Sequence, residues 1–284
     1  MTEATRNKLE SMEEFLGVHV NVYDTVDSTN TRAKEYIRNL IEKKNADKVS
    51  EVFIADQQTE GRGRLGRSWQ SPPGTGIWMS IVTNPSVSPD RVSCVTLLAA
   101  ISIARAIKFY SLKRSIFNVD VKIKWPNDLI INGKKICGIL SELVNDPATG
   151  MNYVVCGIGI NVNTKSFDIE GCDYASSLYR ESGVQWDREE LLYGVIYNFN
   201  LCMKSFEQEG TIEFLIEDYN DNLINRNQEV ILSSDNPEIQ AGLEDRYIAR
   251  GIDKTGALLV EDKTGELHAI TTGEVSVRGL YGYT

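Results

Sequence analysis

Two apolar, extended runs that meet at an Asn-Gly pair constrain the fold more than any other feature of the sequence. Val121–Ile131 and Lys134–Val144 are rich in strand-forming residues, and Asn132–Gly133 stands between them. An Asn-Gly pair flanked by such runs is typical of a two-residue β-hairpin turn. The sequence therefore predicts two antiparallel strands at the centre of the chain.

The register of this hairpin predicts which side chains share a face. A two-residue turn pairs Ile131 with Lys134 and places Asp128 opposite Cys137, and cross-strand partners point to the same side. One face should then carry Asp128, Ile130, Lys135 and Cys137, with Lys134 on the other face. A carboxylate beside a lysine indicates either an ordinary ion pair or a site for a magnesium–phosphate group and a reacting carboxylate.

The remaining periodicities predict further strands and helices. Apolar spacing after the N-cap candidates of Asp27–Asn30 indicates a helix with Ala33, Ile37, Leu40 and Ile41 on one face. The other expected strands are Glu51–Asp56, Ile77–Thr83 and Tyr153–Val162, and the other expected helices are 1–17, Asp90–Tyr110, Asp187–Glu209 and Thr211–Asn220.

From about Asn227 the chain changes to short strands separated by turns. Asp253–Gly256 and Asp262–Gly265 both read Asp-Lys-Thr-Gly, and we interpret them as turns rather than as a penicillin-binding signature, because no SxxK accompanies them. We therefore expect an α+β fold with a large domain at 1–225, beginning with a polar extension at 1–17, and a small β domain at 226–284.

Composition excludes several functional classes. The formal net charge of −10 argues against broad nucleic-acid binding, which usually rests on a basic face. Five cysteines without a CxxC pair and only two histidines argue against a zinc cluster and suit a reducing cytoplasm. No signal peptide and no run of about 18 apolar residues is visible, so we expect no membrane association.

A loop rich in arginine and glycine follows the strand Glu51–Asp56. Gly61–Arg67 formally matches the dinucleotide-binding pattern GxGxxG, but Ser68–Gly74 contains two prolines and cannot continue as the helix which that pattern requires. Three arginines in six residues indicate either a flexible basic surface loop or a loop that closes over an anionic ligand.

Glycines also interrupt an apolar strand at Gly157–Val162. Glycine weakens a strand, so its presence there usually marks the close approach of a ligand or of another backbone. Close packing of a helix on the sheet explains the same pattern equally well.

Taken together and in order, these motifs resemble the biotin protein ligase family over roughly residues 20–280. The residues that carry the resemblance are Asp27–Asn30 (DSTN), Gln58–Trp69 (QTEGRGRLGRSW), Lys124–Leu129 (KWPNDL), Lys134–Leu140 (KKICGIL), Gly157–Asn163 (GIGINVN) and Gly273–Gly279 (GEVSVRG). The arginine–glycine loop followed by KWPNDL is the most specific part.

The resemblance implies a catalytic domain like that of class II aminoacyl-tRNA synthetases, with a mixed sheet and helices on one side, followed by a Src-homology-3-like barrel. It implies an ATP-dependent ligase that forms biotinyl-5′-AMP with Mg²⁺ and biotinylates a lysine of a biotin carboxyl carrier domain, such as that of acetyl-CoA carboxylase. Too few residues precede Ser28 for the winged helix of the family's repressors, so we expect the minimal form without DNA binding. A homodimer is left open.

The resemblance also implies roles for individual residues. Lys135, Arg62 and Arg64 would be catalytic. The biotin site would contain Ser28, Thr29, Asn30, Gln58, Gly61, Arg62, Trp78, Lys135, Gly138, Gly157 and Ile160. The nucleotide site would contain Arg62, Arg64, Arg67, Trp69, Asn127, Lys135 and Asn161, and Asp128 would face magnesium.

Two other functions fit parts of this pattern. A lipoate–protein ligase or octanoyl transferase shares the general fold and the chemistry at lysine. A regulator that binds biotin or its adenylate without catalysis would not need Lys135, Arg62 and Arg64 together.

Overall fold

The computed structural model describes residues 16–44, 48–167, 174–234, 246–271 and 276–279. The helix predicted for 1–17 falls almost entirely outside these ranges. Within them the protein forms a seven-stranded sheet and a five-stranded sheet, with helices packed on the larger one.

The larger sheet is mixed. Its strands are β1 (His19–Val26), β2 (Ser50–Gln58), β3 (Gly76–Thr83), β4 (Lys122–Lys124), β5 (Asp128–Ile131), β6 (Lys134–Asn145) and β7 (Asn152–Asn161). Their spatial order is β1-β2-β3-β7-β6-β5-β4. Only β1 and β2 run parallel among these strands, and the other neighbours are antiparallel.

Helices cover both faces of this sheet. The α-helices are α1 (Thr29–Glu42), α2 (Cys94–Lys113), α3 (Leu178–Ser182), α4 (Arg188–Glu209) and α5 (Ile216–Asn222). Helix α1 connects the two parallel strands, which need a crossover, and packs Ala33 and Ile37 against a small apolar cluster around Phe53. The main core lies on the opposite face, beneath α2 and α4. The expectation of helices on one side is therefore wrong for α1.

Helix α2 is the most apolar segment of the described chain. Together with the preceding turn it spans Pro89–Lys113, which is long and apolar enough to cross a membrane by composition alone. However, 72% of its most apolar window is buried inside the protein, where it packs on the sheet and on α4. It therefore serves as the central core helix.

The central hairpin forms as predicted, with one shift in register. Asn132 and Gly133 both adopt positive φ, at 51° and 76°, as a two-residue hairpin turn requires. Ile130 pairs with Lys135, but a bulge between Leu129 and Ile130 then places Asp128 opposite Gly138. Two further expectations need correction.

The first correction concerns Cys137, which pairs with Leu129 and lies with it in the main core, because the bulge reverses its side. The second concerns the run Val121–Ile131, which is not one strand. It folds back on itself at Trp125–Pro126, a cis peptide bond, so that β4 and β5 pair with each other.

The smaller sheet is antiparallel and consists of β8 (Glu229–Ser233), β9 (Tyr247–Ile252), β10 (Leu258–Glu261), β11 (Leu267–Ile270) and β12 (Ser276–Gly279), in the order β11-β10-β9-β8-β12. Both Asp-Lys-Thr-Gly segments are turns, since the carboxylates of Asp253 and Asp262 accept hydrogen bonds from the backbone that follows them. The α+β architecture with a small β-barrel-like unit is thus confirmed.

The two sheets share one continuous apolar core. Trp125 Nε1 donates to Gly256 O at 3.1 Å, and Ile252 N donates to Asn220 Oδ1 at 2.8 Å. The division of the chain into domains near residue 226 stays a prediction. The contact at Trp125 matters for the site, because it fixes the turn that precedes Asp128.

Candidate active site

A cavity of about 520 Å³ opens on the face of the large sheet that carries α1. Four segments surround it: the first turn of α1, the loop from Gly61 to Ser71, the β5–β6 hairpin and strand β7. We call Gly61–Ser71 the arginine strap. Val277 of the small sheet completes one wall.

The arginine strap is folded on itself rather than extended. Gly63 N donates to Arg67 O at 2.7 Å and Trp69 N donates to Gly61 O at 2.8 Å, around a single 3₁₀ turn at Arg64–Gly66. A Cβ at Gly61 would lie 2.3 Å from Trp69 O, so this crossing requires glycine. No helix begins in the strap beyond that short turn, which agrees with rejecting the dinucleotide-binding motif.

Trp69 lies over two glycines of the sheet. Added Cβ atoms at Gly138 and Gly159 would come within 2.9 and 2.5 Å of its indole ring. The ring also contacts Lys135, whose Nζ lies 5.3 Å from the ring centroid. The indole Nε1 is buried and has no hydrogen-bond partner among the described residues, which leaves it free to donate to a ligand.

The neighbouring glycine, Gly157, accommodates a different side chain. An added Cβ there would lie 2.2 Å from Asn30 Oδ1, on helix α1. The expected close packing of a helix therefore applies at Gly157. At Gly159 the side chain of Trp69 approaches the sheet, and the close approach of a ligand stays a prediction.

One end of the cavity is cationic. Lys135 Nζ lies 2.8 Å from Asp128 Oδ1, and Arg64 donates to Asn127 Oδ1 at 3.0 Å. Arg62 and Arg67 are exposed and form no salt bridge within the described part of the chain. Asp128 is the one acidic side chain among the described residues that line the cavity. This end therefore suits phosphate and carboxylate groups.

The other end is neutral and largely buried. Gln58 Oε1 accepts a hydrogen bond from Thr29 N at 2.8 Å, while Gln58 Nε2 donates to Ser71 Oγ at 2.9 Å. Ser80 Oγ lies 2.7 Å from Thr29 Oγ1 and 2.6 Å from Asn30 Oδ1. Ser28, the N-cap residue of α1, is also buried at this end.

Glu142 and Lys34 lie behind this neutral end. Asn30 Nδ2 donates to Glu142 Oε2 at 2.8 Å, and Lys34 Nζ donates to Glu142 Oε1 at 2.7 Å. Burial alone would raise the pKa of Glu142, but the hydrogen bonds from Lys34 and Asn30, together with the positive charges of Lys34 and Arg62, lower that pKa below its ordinary value. The carboxylate is therefore ionised and acts only as an acceptor.

Most of the residues that the sequence assigned to a site come together at this cavity. Those that line it are Ser28, Thr29, Asn30, Gln58, Arg62, Arg64, Arg67, Trp69, Asn127, Asp128, Lys135, Gly138, Gly157 and Asn161. Lys135 rather than Lys134 lines it, as the hairpin predicted. The roles of these residues stay predictions.

Three residues expected in the biotin site do not line the cavity. Ile160 pairs with Cys137 and is fully buried in the main core, because strand alternation turns it away from Gly159 and Asn161. Trp78 is also fully buried, and its indole lies over Gly76. Gly61 instead lines a neighbouring cavity of about 650 Å³, which shares Gln58 and Ser68–Gln70 with the first.

Sequence reasoning missed several residues around the cavity. Those that line it without a predicted role include Gln70, Lys124, Phe167, Tyr174 and Val277, and those behind it are Lys34, Ser80 and Glu142. Ser80 carried one usable signal, because it is a polar residue within the otherwise apolar segment Ile77–Val82. The contact between Asn30 and Glu142 joins residues too far apart in sequence to be inferred from spacing.

Comparison with known proteins matches two family models to this chain. Residues 22–161 match the Biotin/lipoate A/B protein ligase family, and residues 227–278 match the Biotin protein ligase C terminal domain. The first match contains the strap and the hairpin, and the second covers most of the small sheet.

Two bacterial relatives are each named Bifunctional ligase/repressor BirA. The protein from Bacillus spizizenii is 36% identical over 210 residues, which are 72% of this chain and 61% of the relative. The protein from Escherichia coli is 31% identical over 263 residues, or 92% of this chain and 75% of the relative. The chain thus spans less than two thirds of the Bacillus relative.

A solved structure shows the same architecture. The biotin protein ligase from Aquifex aeolicus in complex with biotin and ATP superimposes with a TM-score of 0.73 at 28% identity. The alignment covers 92% of this chain and 99% of that one, so it includes both sheets.

Proposed function

Since the chain belongs to the biotin protein ligase family, we propose that it activates biotin with ATP and transfers the biotinyl group to a lysine of a carrier protein. The observation that carries this proposal is the division of one cavity of about 520 Å³ into a neutral hydrogen-bonding end and a cationic end. A molecule with a polar ring at one end and a carboxylate at the other fits this division.

In the first step an oxygen of the biotin carboxylate attacks the α-phosphorus of ATP, and pyrophosphate leaves with the electron pair of the broken P–O bond. Two anions must approach each other, so fixed positive charge lowers the barrier. Lys135 is placed to neutralise both groups. Arg64 reaches the same end through its hydrogen bond to Asn127, and Arg62 lines the same cavity from the strap. No side-chain nucleophile is required.

In the second step the neutral amine of an acceptor lysine attacks the carbonyl carbon of the anhydride. The C–N bond forms, the bond from that carbon to the phosphate oxygen breaks, AMP leaves, and the nitrogen releases one proton to solvent. The anhydride must be shielded from water until the amine arrives. The arginine strap lines the cavity and places its own Trp69 over the sheet, so we propose that it limits water access. In this proposal the second cavity, which adjoins the first at the strap, offers an approach for the acceptor.

Magnesium belongs to the proposal as a partner of ATP. Mg²⁺ commonly binds through one or two carboxylates together with substrate phosphates, and Asp128 supplies one carboxylate at the cationic end. When bound, the ion neutralises phosphate oxygens.

The acceptor in this proposal is the lysine of a biotin carboxyl carrier domain, with that of acetyl-CoA carboxylase as the first candidate. The absence of nucleic-acid binding, a cytoplasmic location and a homodimer stay predictions. Sedimentation with and without biotin plus ATP tests the homodimer, and a single monomeric species under both conditions would contradict it.

Exchange of labelled pyrophosphate into ATP tests the first step, with biotin, lipoate or no acid present. We expect exchange with biotin, followed by transfer of the label of radioactive biotin to an apo carrier domain and not to a carrier whose acceptor lysine is replaced by arginine. Exchange with lipoate alone would assign the chain to the sister activity. Exchange with neither acid, in folded protein with magnesium, would contradict the proposed activity.

A further inference from the structure

In the chain of hydrogen bonds at the neutral end, each contact has a defined donor and acceptor, and these roles are set by the carboxylate of Glu142. Asn30 Nδ2 donates to Glu142 Oε2 at 2.8 Å and lies 3.3 Å from Leu140 O. A carboxylate and a carbonyl oxygen are both acceptors only. The amide of Asn30 can therefore face them only with its nitrogen, and its Oδ1 must point to Ser80.

Three oxygen–oxygen contacts then share two hydroxyl protons. Ser80 Oγ lies 2.6 Å from Asn30 Oδ1 and 2.7 Å from Thr29 Oγ1, and Thr29 Oγ1 lies 3.1 Å from Gln58 Oε1. Each hydroxyl supplies one proton. Because Asn30 Oδ1 only accepts, the proton of Ser80 belongs to that contact.

The proton of Thr29 has two possible acceptors, Ser80 Oγ and Gln58 Oε1. The contact of 2.7 Å with Ser80 has the usual length of an O–H···O hydrogen bond, whereas the contact of 3.1 Å with Gln58 exceeds it. Gln58 Oε1 already accepts from Thr29 N at 2.8 Å, so it does not need the hydroxyl proton. Thr29 therefore donates to Ser80 and has only lone pairs left for a ligand.

Gln58, in contrast to Thr29, offers the ligand a hydrogen-bond donor. Its Oε1 accepts from Thr29 N, which fixes the orientation of the amide, and its amide nitrogen donates one proton to Ser71 Oγ at 2.9 Å. The second amide proton remains as a donor. Thr29 and Gln58 thus present an acceptor beside a donor, which complements the adjacent N–H and C=O of a cyclic urea.

We propose that Ser80, oriented through Asn30 by Glu142, is a specificity-determining residue that makes Thr29 an obligatory acceptor and thereby selects a ring N–H in the ligand. Ser80 is a positioning residue, since it is fully buried and does not line the cavity. This inference rests on the proposed function, in which the ring is the ureido ring of biotin. It adds to that function which partner donates the hydrogen bond at Thr29, namely the ring N–H of the ligand, and identifies Ser80 as the residue that determines this direction.

Calorimetric binding without ATP tests the proposal with biotin and its two cyclic carbamate analogues, each with one ring N–H replaced by oxygen. We expect the wild-type protein to bind one carbamate about a hundredfold more weakly than biotin, because that oxygen would face the lone pairs of Thr29. In Ser80→Ala the hydroxyl of Thr29 can rotate and donate, so this ratio should fall by about tenfold.

Two further variants separate selectivity from loss of stability. Ser80→Cys retains a weak donor and acceptor, so its ratio of carbamate to biotin Kd should lie between those of wild type and Ser80→Ala. If Ser80→Ala does not fold, the ratio measured for Ser80→Cys tests the proposal. Ser102→Ala removes another fully buried serine hydroxyl, which bonds Leu98 O in α2, and should leave the ratio unchanged.

Two results would overturn the proposal while leaving the ligase activity intact. One is equal binding of biotin and both carbamates by wild type, and the other is an equal loss of affinity for all three ligands in the Ser80 variants. Wild-type protein that binds none of them would overturn the proposed function together with this inference.

Discussion

Behind Thr29, four side chains complete one another's hydrogen bonds, whereas Arg62 and Arg67 are exposed and form no salt bridge with any residue that the structure describes. The hydrogen bonds of the first group are formed before a ligand binds, and its side chains cannot rotate without breaking these short contacts. The second lacks its counter-charge, which the ligand would bring. A neutral ring can be recognised by preformed groups, but a cluster of like charges is stable only while it is exposed.

The largest effect should come from removing the central cation. Lys135→Ala should reduce biotin-dependent pyrophosphate exchange by about 10²- to 10³-fold and weaken biotin binding without ATP far less, because the lost charge acts mainly where carboxylate and phosphate meet. Lys134→Ala is the matched control, since Lys134 does not line the cavity, and should stay within about twofold of wild type. Normal exchange in folded Lys135→Ala would remove Lys135 from its role.

A methyl group added beneath Trp69 should weaken ATP binding at the cationic end while affecting biotin binding at the neutral end much less. In Gly159→Ala the new Cβ would meet Trp69 Nε1 at 2.5 Å, so the ring must move away from the floor. We expect the KM for ATP to rise by about tenfold and the Kd for biotin to change much less. In a Trp69→Ala background the same substitution should have little further effect. Additive effects of the two changes would mean that Gly159 acts by another route.

Added salt should weaken binding mainly at the cationic end of the cavity. Between about 0.05 and 0.5 M ionic strength we expect the KM for ATP to rise several-fold, because exposed arginines are screened. The Kd for biotin, measured without ATP, should change much less than the KM for ATP, since its ring contacts are neutral and buried and only its single carboxylate meets the cationic end. A strong salt dependence of biotin binding would contradict the division into two ends. Sodium chloride and potassium glutamate should be compared, because chloride itself can bind arginines.

The smallest effect concerns stability at acid pH. The folded state lowers the pKa of Glu142 below its ordinary value of 4.5, so its contribution is present above that pH and is lost as pH falls through the lowered pKa. Because the side chain is partly exposed, we expect Glu142→Gln to remove at most about 1 kcal/mol of this dependence. Urea unfolding at pH 7 and pH 3.5 measures it. Glu60→Gln is the control and should leave the dependence unchanged, because Glu60 is exposed and forms no salt bridge with a described residue.

Local sequence patterns predicted much of the fold and of the cationic end. The Asn132–Gly133 turn placed Lys135 and Asp128 on one side, and the structure joins them at 2.8 Å. The bulge beside Leu129 was not predictable, because it depends on how β5 fits β4 and β6 together. It reversed the side of Cys137 while leaving the ion pair intact.

The neutral end was only half predictable. The resemblance supplied Thr29, Asn30 and Gln58, but not the groups that orient them. Ser80 and Glu142 come from strands β3 and β6, which are separated by β7, so their convergence on Asn30 depends on strand order rather than on spacing along the chain. Such contacts become visible only once the sheet is assembled.

Structures of the protein with biotin alone and with a non-hydrolysable analogue of biotinyl-5′-AMP would test the contrast between the two ends most directly. We expect the side chains of Thr29, Asn30, Gln58 and Ser80 to move by less than about 1 Å in both complexes. The guanidinium groups of Arg62 and Arg67 should leave solvent and contact the ligand's phosphate only in the second complex. Rearrangement of the neutral end around biotin, or arginines that remain in solvent with the adenylate analogue bound, would contradict the account.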